Sequence, residues 1–320
     1  MEYALHMGGN TALLAVSVLF LWRGADWFVD ATTDVARHFG LSELIIGLTL
    51  VGFGTSAPEF AVSIGAALSG RPDISVGNVV GSNIFNLGFI LGGCAAIRPI
   101  ITSRTLVCRD GLFLIGVTGV LTLVIHNLHV SRLEGALLLG LLLIYMAILF
   151  RQRRADTGTA PDRHTTAGKG SDFAAKKQVL LLFAGLAMVL VGAHFLVYSA
   201  SNLARAFGMS EWTIGVTIVA AGTSAPELFT SINAASKGRY GISAGNLIGS
   251  DLYNLLGVLG VAAMIRPMNV AADSLGSVYL LACMVFICVV FMRTGWRLSR
   301  AEGIFLVSAN LVRWWVDIKG

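Results

Sequence analysis

The amino-acid composition of this chain excludes a water-soluble protein. Its 320 residues are 55% hydrophobic and only 13% charged, with a mean hydropathy of +0.76, whereas soluble domains carry about 25% charged residues. The net charge of +5 does not indicate a nucleic-acid groove, because the basic residues lie at the ends of apolar segments and in one central run. The composition therefore predicts an integral membrane protein. We expect membrane lipid, and no nucleic acid, as its partner.

Ten apolar segments follow one another along the chain. They lack the alternation of polar and apolar residues found in transmembrane β-strands, so we expect an all-α fold with ten transmembrane helices. The first five segments are residues 8–33, 41–69, 74–97, 107–127 and 132–150. The second five are residues 177–201, 209–236, 242–265, 274–292 and 299–316.

The two groups of five segments are copies of one unit. Gly54–Glu59 reads Gly-Thr-Ser-Ala-Pro-Glu, and the same six residues return at Gly222–Glu227, 168 positions later. The same shift aligns further short motifs without an insertion: Gly77-Asn78 with Gly245-Asn246, Gly81-Ser82 with Gly249-Ser250, Asn86 with Asn254, and Arg98-Pro99 with Arg266-Pro267. We therefore predict a first repeat in residues 1–150, a basic linker in 151–176 and a second repeat in 177–320.

The number of helices in each repeat predicts how the repeats are oriented. Because five is odd, the second repeat enters the membrane from the opposite side, which makes the repeats inverted. Most of the 23 Lys and Arg residues then lie on the side of the linker. The positive-inside rule places that side in the cytoplasm and both termini outside. This orientation depends mainly on the charges of the linker.

Acidic residues inside the apolar segments mark the predicted functional centre. Glu59, Glu227 and Asp251 lie away from the predicted helix ends. A charged residue at the centre of a membrane helix costs about 2.5 to 3.5 kcal/mol on insertion scales, so such residues face the protein interior and usually have a function. A protonated Glu that only joins helices is the alternative, which the equivalent positions of Glu59 and Glu227 in the two repeats disfavour.

The residues before each Glu predict a break in the helix that is lined with oxygen atoms. Pro58 and Pro226 cannot donate the helical hydrogen bond to the carbonyl four residues earlier, so each helix is expected to break near the midplane. The freed carbonyls add to the glutamates and to four hydroxyl side chains, those of Thr55, Ser56, Thr223 and Ser224. Ca²⁺ and Na⁺ prefer oxygen ligands. A simple proline kink is the alternative for either break taken singly.

A second polar helix face predicts further oxygen ligands. Asn78, Ser82 and Asn86 are four residues apart and therefore share one face of a helix. The second repeat copies this face at Asn246, Ser250 and Asn254. These side chains either bind cations or hydrogen-bond a neighbouring helix, and the second interpretation has most weight at Asn78 and Asn246. The accompanying glycines are interpreted as packing residues: Gly77, Gly81, Gly245 and Gly249.

The paired motifs resemble those of a known family. Gly-Thr-Ser-Ala-Pro-Glu followed by Gly-Asn-x-x-Gly-Ser, present twice across essentially the whole chain, is similar to the cation/calcium antiporter superfamily, in particular to prokaryotic sodium/calcium exchangers. The resemblance implies that Glu59 and Glu227 bind Ca²⁺ together with the backbone carbonyls of Thr55 and Thr223. It also implies a set of sodium ligands beside the glutamates: Ser56, Ser82, Asn86, Ser224, Ser250 and Asn254, with backbone oxygens near Gly52 and Ala220.

One position departs from the family pattern. Sodium-coupled relatives often carry Asp where Asn254 stands, whereas Asp251 occupies the place of Asn83 in the repeat. Residues 251 and 254 are about 300° apart along the helical path, which is about 60° by the shorter way round, so the two side chains do not occupy the same position. Asp251 is kept as a candidate metal ligand, and the departure leaves the coupling ion open.

These observations predict a secondary active antiporter that exchanges Ca²⁺ for Na⁺ by alternating access at an oxygen-lined midplane site. Ca²⁺/H⁺ or K⁺-dependent exchange is the alternative, and a cation channel is less favoured because symmetric broken helices suit alternating access. The sequence lacks the motifs of intramembrane enzymes, so we expect no enzymatic activity and no cofactor. The resemblance further implies a prokaryotic inner membrane and a first and sixth helix that slide against the rest; we expect a monomer.

Overall fold

The computed structural model describes residues 2–157, 171–209, 218, 220–271 and 274–319, and these are mainly helical. The helices of the first repeat are α1 (Glu2–His38), α2 (Glu43–Thr55), α3 (Ala57–Leu68), α4 (Pro72–Ile97), α5 (Leu106–Ile125) and α6 (Arg132–Thr157). The helices of the second repeat are α7 (Ser171–Ala206), α8 (Ala220–Thr223), α9 (Ala225–Ser236), α10 (Tyr240–Ile265), α11 (Ser274–Arg293) and α12 (Arg300–Lys319).

The predicted membrane architecture is confirmed. Within the described residues, seven helices are long and apolar enough to cross a membrane alone, and α2 and α3 form an eighth crossing that is bent by 47°. The pair α8 and α9 is the counterpart of α2 and α3, although residues 210–217 and 219 of that predicted segment lie outside the described part of the chain. With the 20-residue helix α12, the helices match the ten predicted crossings of an all-α membrane protein.

The helices on either side of the predicted linker extend into it. α6 continues to Thr157, and α7 begins at Ser171. Residues 158–170 of the linker lie outside the described residues. The domain boundaries at 150 and 177 therefore stay a prediction.

Two short strand pairs show that the repeats are inverted. Strands β1 (Ile100–Ile101) and β2 (His129–Val130) lie at opposite ends of α5, a helix of 20 residues that measures about 30 Å. By the 168-residue shift, β3 (Met268–Asn269) is the copy of β1, and β4 (Arg297–Leu298) is the copy of β2. β1 pairs antiparallel with β4, and β2 pairs with β3. Each strand and its copy therefore lie on opposite faces of the membrane.

The helix breaks expected at the two prolines are present. Ser56 (φ −74°, ψ 3°) separates α2 from α3, and Pro58 lies in the first turn of α3. Ser224 (φ −87°, ψ 8°) separates α8 from α9, and Pro226 lies in the first turn of α9. Proline is tolerated in a first turn because the amide there has no helical partner. Each break therefore starts a new helix inside the membrane, two residues before the proline.

Close contact between α2 and α10 joins the two repeats near the first break. A Cβ atom at Gly249 would lie 2.8 Å from the carbonyl oxygen of Leu48, and one at Gly245 would lie 2.9 Å from another carbonyl of α2. A Cβ atom at Gly52 would lie 3.0 Å from the amide nitrogen of Ser250. Small residues let membrane helices approach in this way. The interpretation as packing residues is confirmed for Gly245 and Gly249, but it is wrong for Gly77 and Gly81, where an added Cβ atom would have no atom of the described residues within 4 Å.

Helices α1 and α7 form a pair beside the main core. They approach closely through glycines, since a Cβ atom at Gly24 would lie 2.9 Å from the carbonyl of Gly185, and one at Gly185 would lie 2.6 Å from the amide of Phe28. The largest apolar cluster of the described residues runs through α4, α5, α6, α10 and α11, with a few residues from other helices, and includes none from α1 or α7. The pair contributes instead to two smaller clusters.

Candidate cation site

Glu59 and Glu227 occupy the same place in the two repeats. They lie in the first turns of α3 and α9, directly after the two breaks, and both are completely buried. The amide groups at the beginning of a helix carry a partial positive charge that stabilises a nearby carboxylate. The break before each proline therefore also creates a favourable position for the acid in the first turn of the new helix.

Each carboxylate accepts a hydrogen bond from the opposite repeat. Ser224 Oγ donates to Glu59 Oε1 at 3.2 Å, and Ser56 Oγ donates to Glu227 Oε1 at 3.4 Å. Ser250 Oγ on α10 donates to Glu227 Oε1 at 2.6 Å and also contacts the hydroxyl of Ser56. We call these five residues the central cluster. The two breaks meet there, at the interface between the repeats.

Two oxygen atoms of the central cluster are left without a hydrogen-bond partner in the described part of the protein. They are Oε2 of Glu59 and Oε2 of Glu227, and both are buried. Most buried polar atoms in folded proteins have a partner, because a buried polar atom without one is unfavourable. A bound cation would satisfy both atoms, and these oxygens are therefore the strongest candidates for ligands.

Thr55 and Thr223 directly precede the serines at the two helix breaks, and Thr55 has hydrogen-bond partners that Ser56 lacks. Thr55 Oγ1 lies 3.1 Å from the carbonyl of Val51 and donates to Asn246 Oδ1 at 3.0 Å, so its hydroxyl is engaged in holding α2 against α10. Its backbone carbonyl lies at the break. Thr223 is the last residue of α8 and is also buried. The hydroxyl of each threonine also lies near the carboxylate of the other repeat, Thr55 near Glu227 and Thr223 near Glu59, so both the hydroxyl and the backbone carbonyl of each threonine are candidate ligands.

The two predicted backbone positions, Gly52 and Ala220, lie seven residues before the glutamates. The carbonyl of Gly52 accepts the amide of Ser56 at 3.2 Å, which ends the first half of the broken helix. Ala220 begins α8, so it holds the same position relative to Glu227. Both lie on the half-helices that lead into the breaks.

Asn78 and Asn246 hold the broken helices in place. Asn78 Nδ2 donates to Ser63 Oγ at 2.9 Å, and Asn246 Nδ2 donates to Ser231 Oγ at the same distance. Each amide also approaches the backbone carbonyl of the Glu in its own repeat, at 3.4 Å and 3.5 Å. These contacts favour the interpretation of the two asparagines as polar links between helices. They orient the backbone of each Glu without touching its carboxylate.

A second group of polar residues lies where α4 and α10 cross. Asn86 Nδ2 donates to Asp251 Oδ1 at 3.0 Å, and Asn254 Nδ2 donates to Asn83 Oδ1 at 3.0 Å and to Ser82 Oγ at 3.2 Å. We call these five residues the polar layer. All five are buried. Asn86 begins a turn of wide π-helix, and Asn254 is the second residue of another; this distortion is frequent at functional sites.

Asp251 is part of the polar layer and contacts a residue that the sequence predicts as a sodium ligand. Its Oδ2 atom, like Oδ1 of Asn86 and Oδ1 of Asn254, has no hydrogen-bond partner among the described residues. Asn83 was not predicted as a site residue, yet its amide donates to the carbonyl of Asp251 at 3.2 Å. The repeat contained the necessary signal, because Asn83 is the copy of Asp251.

The acids of the two groups do not form a single three-carboxylate centre. Within the described residues, no three His, Cys, Asp or Glu side chains come together at a distance suited to one metal ion. The predicted ligands therefore separate into the central cluster, with Glu59 and Glu227, and the polar layer, with Asp251. The asymmetry extends to the serines, since Ser250 reaches Glu227 whereas its copy Ser82 donates to the carbonyl of Val79 at 3.1 Å.

The chemistry of the central cluster is that of a site for hard cations. Carboxylate and hydroxyl oxygens are the side-chain atoms that meet there. Such oxygens match Ca²⁺ and Na⁺, whereas Zn²⁺ and Cu²⁺ are usually bound by His or Cys. The position of the cluster at helix breaks between inverted repeats is also the arrangement found in secondary transporters.

Comparison with known proteins finds relatives that match almost the whole chain. The chain is 36% identical over 297 residues to the putative antiporter CaxA of Alkalimonas amylolytica, which covers 91% of this chain and 93% of that protein. It is 32% identical to the sodium/calcium exchanger MaX1 of Methanosarcina acetivorans, covering 93% and 95%, and 34% identical to the inner membrane protein YrbG of Escherichia coli, covering 94% of both.

A solved structure and a family description complete the comparison. The sodium-calcium exchanger NCX_Mj, soaked with Na⁺ and without Ca²⁺, superposes with a TM-score of 0.80 and 31% sequence identity over 95% of this chain and 97% of its own. The family described as sodium/calcium exchanger protein matches residues 9–151 and 177–313, which are both repeats without the linker. This chain belongs to the sodium/calcium exchanger protein family.

Proposed function

We propose that this chain exchanges Ca²⁺ for Na⁺ across the membrane by alternating access, with the central cluster as the site where the ions bind. Membership of the exchanger family supports this transport reaction, and the oxygen ligands support these two ions. The observation that carries the proposal is the reciprocal pair of buried glutamates. Each comes from one inverted repeat, accepts a serine hydroxyl of the other repeat and retains one oxygen without a partner among the residues that the structure describes.

Charge explains why the protein would exchange the two ions, because the site changes access only when it carries one of them. Two carboxylates in a water-poor interior repel each other when the site is empty, so the empty site resists closure. One Ca²⁺ or several Na⁺ ions neutralise them, and the loaded site can then close and open to the other side. Exchange of unequal charge responds to the membrane potential by about 2.3 kcal/mol per elementary charge per 100 mV.

The remaining predicted ligands divide between the two ions in this proposal. Glu59 and Glu227 bind Ca²⁺ together with the backbone carbonyls of Thr55 and Thr223. Sodium ions use the same carboxylates with further oxygen atoms, those of Ser56, Ser82, Asn86, Ser224, Ser250 and Asn254 and the backbone near Gly52 and Ala220. Asp251 adds a carboxyl group to the polar layer, where Asn86 donates a hydrogen bond to it.

Flux of radioactive ⁴⁵Ca into proteoliposomes tests the central claim. Glu59→Gln and Glu227→Gln each remove one charge at nearly constant volume, and we expect each to abolish Na⁺-driven Ca²⁺ uptake. Asp34→Asn is the matched control, because Asp34 is a partly exposed acid of α1 whose one ion-pair partner among the described residues is Arg37 of the same helix, at 3.9 Å. Normal uptake by both glutamine variants would refute the assignment of the site.

The coupling ion is tested by imposing one gradient at a time on the same proteoliposomes. We expect a Na⁺ gradient to drive Ca²⁺ movement without a change in internal pH. Uptake driven by a pH gradient alone would identify a Ca²⁺/H⁺ exchanger, and a requirement for K⁺ would identify a K⁺-dependent one. Either result would contradict the proposed coupling while leaving the calcium site in place.

The distribution of charge supports a membrane orientation for this reaction. We propose that the segment between residues 151 and 176 is cytoplasmic and that both termini lie outside, in a prokaryotic inner membrane. A membrane-impermeant thiol reagent added to whole cells should therefore label a cysteine near the C-terminus but not one in the linker. A single chain supplies both glutamates, so a monomer is sufficient for the site.

A further inference from the structure

A network of charged residues joins α1 to the turn between α9 and α10. Lys237 Nζ lies 2.6 Å from Asp26 Oδ1 and 2.8 Å from Asp30 Oδ1, and Arg239 Nη2 lies 3.3 Å from Asp30 Oδ1. Arg239 also donates to the carbonyl of Val29 at 3.3 Å and contacts the hydroxyl of Thr33. We call Asp26, Asp30, Lys237 and Arg239 the α1 charge network.

The network connects a predicted moving helix to the helices that carry the second half of the site. Lys237 follows the last residue of α9, and Arg239 precedes the first residue of α10. α9 carries Glu227, and α10 carries Ser250. Asp26 and Asp30 are four residues apart and so lie on one face of α1. A displacement of α1 relative to α9 and α10 would have to separate these ion pairs.

The inverted copy of this interface lacks the network. The 168-residue shift aligns Asp26 with His194, Asp30 with Tyr198 and Lys237 with Ser69, so that only Arg239 has a charged counterpart, Arg71. In the described part of the chain, no ion pair joins the C-terminal half of α7 to the turn between α3 and α4. The network is therefore specific to one face of the membrane.

Helix packing also differs between the two interfaces, and the interface that contains the charge network is the more closely packed one. α1 packs along α9 over much of its length, whereas the equivalent pair, α7 and α3, makes almost no contact, although the backbones of all four helices are described. In proteins built from inverted repeats, the two access states arise when the repeats exchange conformations. The interface with the charge network is thus the closed one here, and its copy is the open one.

We propose that the α1 charge network is a one-sided latch. It stabilises the state in which the path between α1 and the α9–α10 turn is closed, and the aligned positions in the other repeat, His194, Tyr198 and Ser69, do not supply an equivalent set of charges for the opposite state. The inference rests on the proposed alternating-access function, because it assigns the network a role in the balance between the two access states. It predicts an exchanger whose resting population is biased towards opening on the α3–α4 side.

The solvent exposure of the charged side chains limits how strongly the network favours one access state over the other. Isolated surface ion pairs contribute little, but networks with several close pairs contribute more. The side chains of Lys237 and Arg239 are only 25% and 22% exposed, while Asp30 is 50% exposed, so screening by solvent is partial. We expect removal of the network to change the ratio of the two states by about three- to tenfold.

Spin-label distance measurements on the opposite interface test the latch without disturbing it. Labels on cysteines at Ser69 and Phe207, both exposed, report the gap between α3 and α7, after the exposed Cys108 and Cys283 are replaced by Ser. In Na⁺-containing buffer, Lys237→Met should increase the ratio of short to long distances by about three- to tenfold. Asp26→Asn combined with Asp30→Asn should cause the same change, because it removes the acidic partners of Lys237 and Arg239 from the network.

Three further variants decide between a latch and a general effect of lost charge. Lys237→Arg keeps the charge and should retain the parental distances. Arg37→Gln removes a charge of α1 that, among the described residues, pairs with Asp34 of the same helix, and it should have no effect. Adding Lys237→Met to the double Asp variant should cause little further change, because residues that act through one network are not additive.

The proposal fails if Lys237→Met and the double Asp variant leave the distances unchanged, or if Arg37→Gln shifts them equally. These distances do not depend on Ca²⁺ transport. An unchanged distance with transport lost in Glu59→Gln would refute the latch alone. A shifted distance with normal transport in both glutamine variants would refute the proposed site and leave the latch as a conformational element.

Discussion

The contact between Gly249 and Leu48 makes a quantitative prediction about how closely the two repeats must approach. A Cβ atom added at Gly249 would lie 2.8, 2.9 and 3.0 Å from the carbonyl oxygen, Cα and carbonyl carbon of Leu48. All three are backbone atoms, which cannot rotate away as a side chain can. Ordinary contacts begin near 3.4 Å, so Gly249→Ala would force α2 and α10 apart by about half an ångström.

The energetic consequence combines two opposing effects. Overpacking in a well-packed interior costs about 1 to 3 kcal/mol, and the higher helix propensity of Ala returns about 1 kcal/mol. We therefore expect a net loss of stability of up to about 2 kcal/mol. The displacement also reaches the site, because the next residue is Ser250, whose hydroxyl lies 2.6 Å from Glu227 Oε1. The Ca²⁺ concentration for half-maximal uptake should rise several-fold.

Two measurements on the purified protein check this prediction. Thermal unfolding in detergent should show a lower transition temperature for Gly249→Ala, and ⁴⁵Ca uptake should show the weaker apparent affinity. Gly116→Ala is the control, because Gly116 is an exposed helix residue of α5 with no atom of the described residues within 4 Å of an added Cβ. If the two variants behave alike, the repeats do not approach as closely as this structure has them.

Two further predictions concern single polar atoms of the site. Ser250→Ala removes the hydrogen bond that Ser250 Oγ donates to Glu227 Oε1 at 2.6 Å. Hydrogen bonds to charged groups contribute about 1.5 to 3 kcal/mol. Half-maximal Ca²⁺ uptake by this variant should therefore require about ten- to a hundredfold more Ca²⁺. Asp251→Asn replaces the carboxyl group of the polar layer, which among the described residues does not form a three-acid metal site with the two glutamates; we therefore expect equilibrium Ca²⁺ binding to change less than twofold, while the Na⁺ dependence of uptake and the charge moved per Ca²⁺ both change.

Each of these predictions has a control and a contradicting result. Ser236→Ala removes a hydroxyl at the exposed end of α9 that bonds only a backbone carbonyl, and it should leave uptake unchanged; equal effects of the two Ser variants would contradict a specific role of Ser250. Loss of Ca²⁺ binding in Asp251→Asn, measured by calorimetry, would show that the polar layer and the central cluster are one site.

Much of this protein was predictable from its sequence alone. The ten crossings follow from apolar segments long enough to span a bilayer, because a backbone in lipid must satisfy its hydrogen bonds within its own helix. The inversion follows from an odd number of helices per repeat. Glu59 and Glu227 follow from the high cost of a charge in lipid, and the breaks before them follow from proline. All of these signals are local, so they can be recognised without knowledge of the packing.

The partners of each site residue were decided by the tertiary structure. The motifs of the two repeats are identical in sequence, so they do not reveal that Ser224 reaches Glu59 while both Ser56 and Ser250 reach Glu227. Nor did they reveal that Asp251 meets Asn86. These contacts join residues far apart in the chain and depend on how one repeat lies against the other. The difference between the two interfaces of α1 and α7 has the same origin, because a symmetric pair of repeats has two equivalent asymmetric packings, and only the folded chain shows which one is occupied.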